Sequence, residues 1–81
     1  MEPVEVTVRY DIKGKAYPEQ FIWKRQTYLV TSTGRRWQDE TGWHMLVMTV
    51  EAKTYELVFD PQALRWYLKA KPASPKIGLS T

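Results

Sequence analysis

The chain contains no cysteine, one histidine and four glycines in 81 residues. Without cysteine there is no disulfide framework and no thiolate metal site, a composition that fits a reducing cytosol. The single imidazole, His44, has no second histidine and no cysteine with which to share a transition metal. A general base needs an orienting partner and a nucleophile, and the sequence spells out no such set. A hydrogen-bonded or solvated sheet histidine is therefore the expectation. The glycines (Gly14, Gly34, Gly42 and Gly78) are scattered and make neither a dinucleotide fingerprint nor a P-loop. No apolar run reaches the length of a membrane span or of a signal-peptide core, so a soluble cytoplasmic protein is expected. The reading is of a non-enzymatic chain, with no catalytic residue, no metal and no cofactor.

Aromatic residues are abundant: four Trp, five Tyr and two Phe, 14% of the chain. A chain this short buries only about three-fifths of its extended surface on folding, and large rings supply the most burial per residue. One small β domain is expected over 1–70, followed by a flexible tail at 71–81 that contains two prolines and has little to bury. Net charge is +3 and uneven. Residues 1–60 carry eight Lys/Arg against nine Asp/Glu, whereas 61–81 add Arg65, Lys69, Lys71 and Lys76 with no acid. That is a mild footprint for an anionic partner.

The dominant period is two. Val4, Val6, Val8 and Tyr10 alternate with Glu5, Thr7 and Arg9, the pattern of a half-buried strand. Asp11-Ile12-Lys13-Gly14-Lys15 reads as a turn. Phe21 and Trp23 share a face of a second strand, and Tyr28 and Val30 resume the alternation after a tight connection. Gly34 breaks or bulges the third strand, a polar stretch runs to Glu40, and Thr41-Gly42 is another turn signal. From Trp43 to Val50 both faces are apolar: Trp43, Met45 and Val47 on one, Leu46, Met48 and Val50 on the other. Ala52-Lys53 turns the chain, and Tyr55, Leu57 and Phe59 form the next inward set. Asp60-Pro61 suits a type I turn, with Asp60 bonding its own backbone. Leu64, Trp66 and Leu68 then finish on the inward side. A helix over 61–68, capped by Asp60, is the competing reading of that last stretch. Six short strands without a crossover helix predict an all-β fold: an antiparallel meander forming a strongly curved sheet or small SH3-like barrel.

Aromatic residues recur beside positive charge at Trp23-Lys24-Arg25, Arg35-Arg36-Trp37 and Arg65-Trp66-Tyr67-Leu68-Lys69. Single strands of nucleic acid are bound by base stacking beside a basic groove, and small β-barrels are frequent hosts of such sites. Core packing is the simpler role for the aromatic set as a whole, Trp23 and Trp66 in particular.

The order Phe21-Ile22-Trp23-Lys24-Arg25, Tyr28-Leu29-Val30, Trp37, Trp43, Tyr55 to Asp60 and Arg65-Trp66-Tyr67-Leu68 resembles a small bacterial domain of unknown function. That domain is found alone or as the C-terminal appendage of inactive Y-family polymerase homologues. The resemblance spans about residues 6–69. Gln26 departs from it, since the family often has Gly in that connection. It implies an accessory role near DNA repair or replication machinery and brings no catalytic residue with it.

Two expectations follow. The first is a non-catalytic module contacting single-stranded nucleic acid or a repair or replication protein. Its candidate residues are Lys24, Arg25, Arg35, Arg36, Trp37, Arg65, Tyr67 and Lys69, with Trp37 and Tyr67 offering stacking faces. The second is a protein-interaction domain using an exposed Trp43, Met45 and Val47 strip or a free sheet edge. An enzyme would need a concave pocket holding His44 with Asp39, Glu40 or Glu51.

Overall fold

In the computed structural model, which describes residues 1–69, the alternation becomes six antiparallel strands. These are β1 (Glu2–Tyr10), β2 (Ala16–Trp23), β3 (Gln26–Asp39), β4 (Gly42–Thr49), β5 (Thr54–Asp60) and β6 (Arg65–Leu68). Each strand pairs with the next, and β6 returns to β1, so the meander closes into a small barrel. No helix long and apolar enough to cross a membrane occurs among the described residues. The stretch offered as a possible helix is a turn over 61–64 followed by β6. The tail expected at 71–81 lies outside the described residues.

The turns follow from their residues. Asp11 N–H donates to Lys15 O and Gly14 N–H to Asp11 O, with Gly14 at φ 84°. This is a type I turn closed by a left-handed residue. The Asp11 carboxylate also accepts from the Lys13 and Lys15 amides at 2.9 and 2.8 Å. The β4–β5 connection repeats the geometry with Ala52, at φ 63°, in the position Gly14 holds in the first. Asp60 accepts from the Gln62 and Ala63 amides, as its turn chemistry predicts. Leu64, expected to point inward, instead sits in that turn at φ 55° and is exposed. At Gly42, φ is 139° and an added Cβ would lie 2.2 Å from Phe59 O, so only glycine lets β4 run this close to β5.

β3 is the long strand, and it changes partners. Gln26–Leu29 pair with β2, whereas Val30–Asp39 pair with β4. Two register shifts within β3, after Val30 and between Thr33 and Arg36, fit its last ten residues to the eight of β4. The second is the bulge expected near Gly34. On the other side, β2 pairs with β3 only from Gln20 onward, so Ala16–Glu19 and Val30–Asp39 diverge. The barrel is therefore split along part of one seam.

Inside, the closed end is filled by rings. Phe21 stacks on Tyr28 at 5.0 Å, and Tyr55 meets Phe21, Trp23 and Tyr28 at 5.3 to 6.4 Å. Trp23 Nε1–H donates to Glu2 Oε1 at 2.9 Å, which pins the first strand over that end. Met45, Val47, Leu57 and Leu68 complete the buried core. The exposed strip expected of Trp43, Met45 and Val47 is thus corrected. All three face the interior, where Met45 and Val47 are buried and only Trp43, at the open end, stays 45% exposed. The opposite set carries the exposure, with Met48 and Val50 at the surface beside Leu29.

The β2–β3 hairpin turns on Lys24 and Arg25, both at positive φ (53° and 66°), between the paired Trp23 and Gln26. This two-residue turn prefers Asn-Gly, and each side chain here carries a left-handed penalty. Replacing Arg25 by Gly should stabilise the fold by about 1 kcal/mol. Urea unfolding would show a higher midpoint at an unchanged slope, and a lower midpoint would refute the turn assignment.

Candidate functional site

Because the strands alternate in direction, the turns at 11–15, 40–41 and 61–64 share one end of the barrel, and the 24–25 and 50–53 turns share the other. The eight candidate contact residues are thereby divided. Arg35, Arg36, Trp37 and Arg65 lie towards the first, open end. Lys24 and Arg25 lie at the opposite end, with the Lys24 ammonium over the Trp23 ring at 4.8 Å. Lys69 is also at that end, 3.7 Å from Glu56. Tyr67 lies between, on the outer face beside Val58.

Trp37 is not the free stacking face that its neighbours in sequence suggested. Cross-strand pairing sets Trp37, His44, Val58 and Tyr67 in one row across the outer face of β3, β4, β5 and β6. The Trp37 and His44 rings stack at 5.1 Å, 14° from parallel, and the Arg35 guanidinium lies 4.9 Å from the indole centroid. His44 is 1% exposed. Its Nδ1 is 2.7 Å from Glu56 Oε2, and its Nε2 is 2.8 Å from both Asp39 Oδ1 and Thr41 Oγ1. A ring carrying both protons donates to both carboxylates, whereas a neutral ring leaves one of them facing a lone pair. His44 is thus the hydrogen-bonded sheet histidine expected, although buried on the outer face. Glu56 was not foreseen as its partner. Asp39 is a structural group, accepting from its own turn and meeting His44.

At the open end the β1–β2 hairpin stands away from the β3–β6 sheet. A cavity of about 400 Å³ lies between them, walled by Tyr10, Trp43, Phe59 and Trp66 with Met45 behind. Its charged lining residues are Lys15 and Arg36, and no carboxylate lines it. His44 is not among the lining residues. Arg36 also belongs to a second feature. The Arg9, Lys15 and Arg36 cations converge on the Tyr17 ring, at 4.6, 5.7 and 5.1 Å from its centroid. Glu19 forms an exposed ion pair with Arg9 at 3.6 Å, and the Asp11 carboxylate lies within electrostatic reach of Lys15 and Arg9. Among the described residues, neither Lys15 nor Arg36 has an ion-pair partner.

The sequence reading did not pick out Arg9, Lys15, Tyr10, Tyr17 or Phe59. A signal for two of them existed: a loop closed by Asp11 and Lys15 sets Arg9 directly opposite Tyr17. Nothing local brings Arg36 to the same ring. No group of three or more metal-ligating side chains placed to hold an ion occurs among the described residues.

Hydrogen bonds from the Thr41 hydroxyl, the Thr41 amide and His44 hold the Asp39 carboxyl well below the usual carboxylate range. A lowered folded pKa contributes stability above the unfolded value and loses it as pH falls. Asp39→Asn keeps the turn's acceptor but removes the charge. The variant should be less stable than wild type at neutral pH, and the difference should shrink below about pH 4, where Asp39 of the unfolded chain takes up a proton while the folded carboxylate still resists it. Thermal melts across that range decide it, and a gap that stays constant with pH would be the contrary result.

No family model, curated protein or solved structure matches this chain.

Proposed function

We propose that this protein is a non-catalytic accessory module that contacts single-stranded nucleic acid at the open end of its barrel. The observation that carries the reading is the convergence of Arg9, Lys15 and Arg36 on the Tyr17 ring, where only Arg9 has an ion-pair partner among the described residues. Like charges gathered this closely repel, and a phosphate relieves the repulsion while releasing counterions. Arg35 and Arg65 lie towards the same end and add to its positive charge. His44 is taken up by contacts to Asp39 and Glu56, which favours a structural role for it over catalysis. The sequence resemblance would place such a module beside DNA repair or replication machinery, and the cysteine-free composition suits a cytoplasmic protein. Of the eight residues proposed from sequence, Arg35, Arg36 and Arg65 remain as phosphate contacts. Lys24, Arg25 and Lys69 belong to the other end, and Trp37 and Tyr67 to the packed outer row.

Affinity for a short mixed-sequence single-stranded DNA should fall with salt. Arg36→Gln should flatten the plot of log affinity against log salt by about 0.7, the change for one phosphate contact to a single strand. Arg25→Gly, at the far end, should leave the slope unchanged. Salt-independent binding, or equal slopes for wild type and Arg36→Gln, would overturn the reading.

One observation favours a protein-interaction module instead. Leu29, Met48 and Val50 are 49%, 42% and 61% exposed, and the Val50 amide donates to Leu29 O, so they form an apolar patch on the outer face of β3 and β4. If that patch is an interface between copies, sedimentation should show self-association that Met48→Lys abolishes and salt does not. A monomer at all concentrations removes that form of the reading.

A further inference from the structure

The cation cluster accounts for phosphate contacts but leaves the ring-walled cavity beside it without a role. Its composition restricts what it can hold. Aromatic cages also take quaternary ammonium groups, but Lys15 and Arg36 would repel a cation here, and no carboxylate stands in the lining to attract one. A purely aliphatic occupant would leave both cations without use. An occupant with a flat apolar body and an adjacent negative charge satisfies the rings and the cations together.

We infer that the cavity takes one unstacked nucleobase of a single strand, with the neighbouring phosphate held between Lys15 and Arg36. The inference rests on the nucleic-acid reading and deepens it. Trp43 pairs across to Phe59 and Phe59 to Trp66, so three rings line the cavity in one row, with Phe59 and Trp66 5.0 Å apart at 43° and Trp43, 45% exposed, as its accessible end. The outer-face candidate, Trp37, is already covered by His44 and Arg35. Arg36 faces both the cavity and the Tyr17 cluster, so one residue joins the base site to the phosphate path. Every base has a π-face, so the cavity selects single strands over duplexes more strongly than one base over another.

The test compares an oligothymidylate with a base-free deoxyribose-phosphate strand of equal length, by fluorescence anisotropy on the full chain. Wild type should prefer the strand with bases by roughly tenfold. Trp43→Ala should lose that preference without changing the salt slope, because no phosphate contact is removed. Trp43→Phe, which keeps a ring, should retain most of it. The indole N–H signals of Trp43 and Trp66 should shift with oligothymidylate and stay still with the base-free strand. Equal wild-type affinities for the two strands, with the normal salt slope, would overturn base insertion and leave the phosphate reading standing. No binding of either strand at low salt would overturn both.

Discussion

β3 has two edges and two neighbours, yet it does not pair with both along its whole length. Its first four residues give their second edge to β2, and its last ten pair with β4. Where it lets go of β2, a backbone edge is left unpaired and the barrel opens. The closed end can then be packed with Phe21, Trp23, Tyr28 and Tyr55, while the open end exposes Trp43, Phe59 and Trp66 to a cavity. The cation cluster depends on the same divergence. Tyr17 belongs to the half of β2 that has separated, and Arg36 to the half of β3 it separated from, so the ring and the guanidinium meet across the gap.

The charge at this end is not decided by composition. Over the described residues, acids and bases nearly balance. What tips the open end is where its carboxylates are engaged. Asp11, Asp39 and Asp60 each bind amides of their own turn, and Asp39 also meets His44. None forms an ion pair with an arginine among the described residues. The Lys15 amide and, with it, the Lys15 and Arg9 charges help to hold the Asp11 pKa down, but the carboxylate makes no ion pair with either side chain. Turn chemistry thus removes direct counterions from the arginines, which leaves them available to a phosphate.

The fold was legible because alternation and turn residues agreed at nearly every step. Asp11 to Lys15 specified both a turn and the register beyond it, so Arg9 opposite Tyr17 was within reach of the sequence. The β4 strand was harder because both of its faces are apolar. Hydrophobicity cannot say whether Met45 and Val47 or Met48 and Val50 point inward, and the first pair does. His44 shows the same limit. Its parity puts it on the outer face, and burial there needs Trp37 from β3 and Glu56 from β5, neither of which local pattern supplies. Leu64 failed for a local reason: the turn after Asp60 is long enough to include it, at a positive φ that leucine seldom adopts. The site itself was only partly readable, since Arg36 and Tyr17 are brought together by the seam and not by spacing.

The open seam is built in by several residues. Closing β2 onto β3 would pair two edges and cover more ring surface, so a barrel this small should favour closure unless something prevents it. Pro18 has no N–H to give to a ladder, which suits it to an edge strand. Glu19 is the extra residue where Thr7 pairs with Gln20 and Val8 with Pro18, and such a bulge bends and twists its strand. Opposite, β3 carries its own two irregularities, after Val30 and around Gly34-Arg35. Both strands are therefore bent where they diverge, and the cations that would be crowded by closure, Arg36 and Lys15, face the opening. Apolar burial forgone at one particular place, with the backbone shaped on both sides to keep it so, is what the proposed base site requires of this fold.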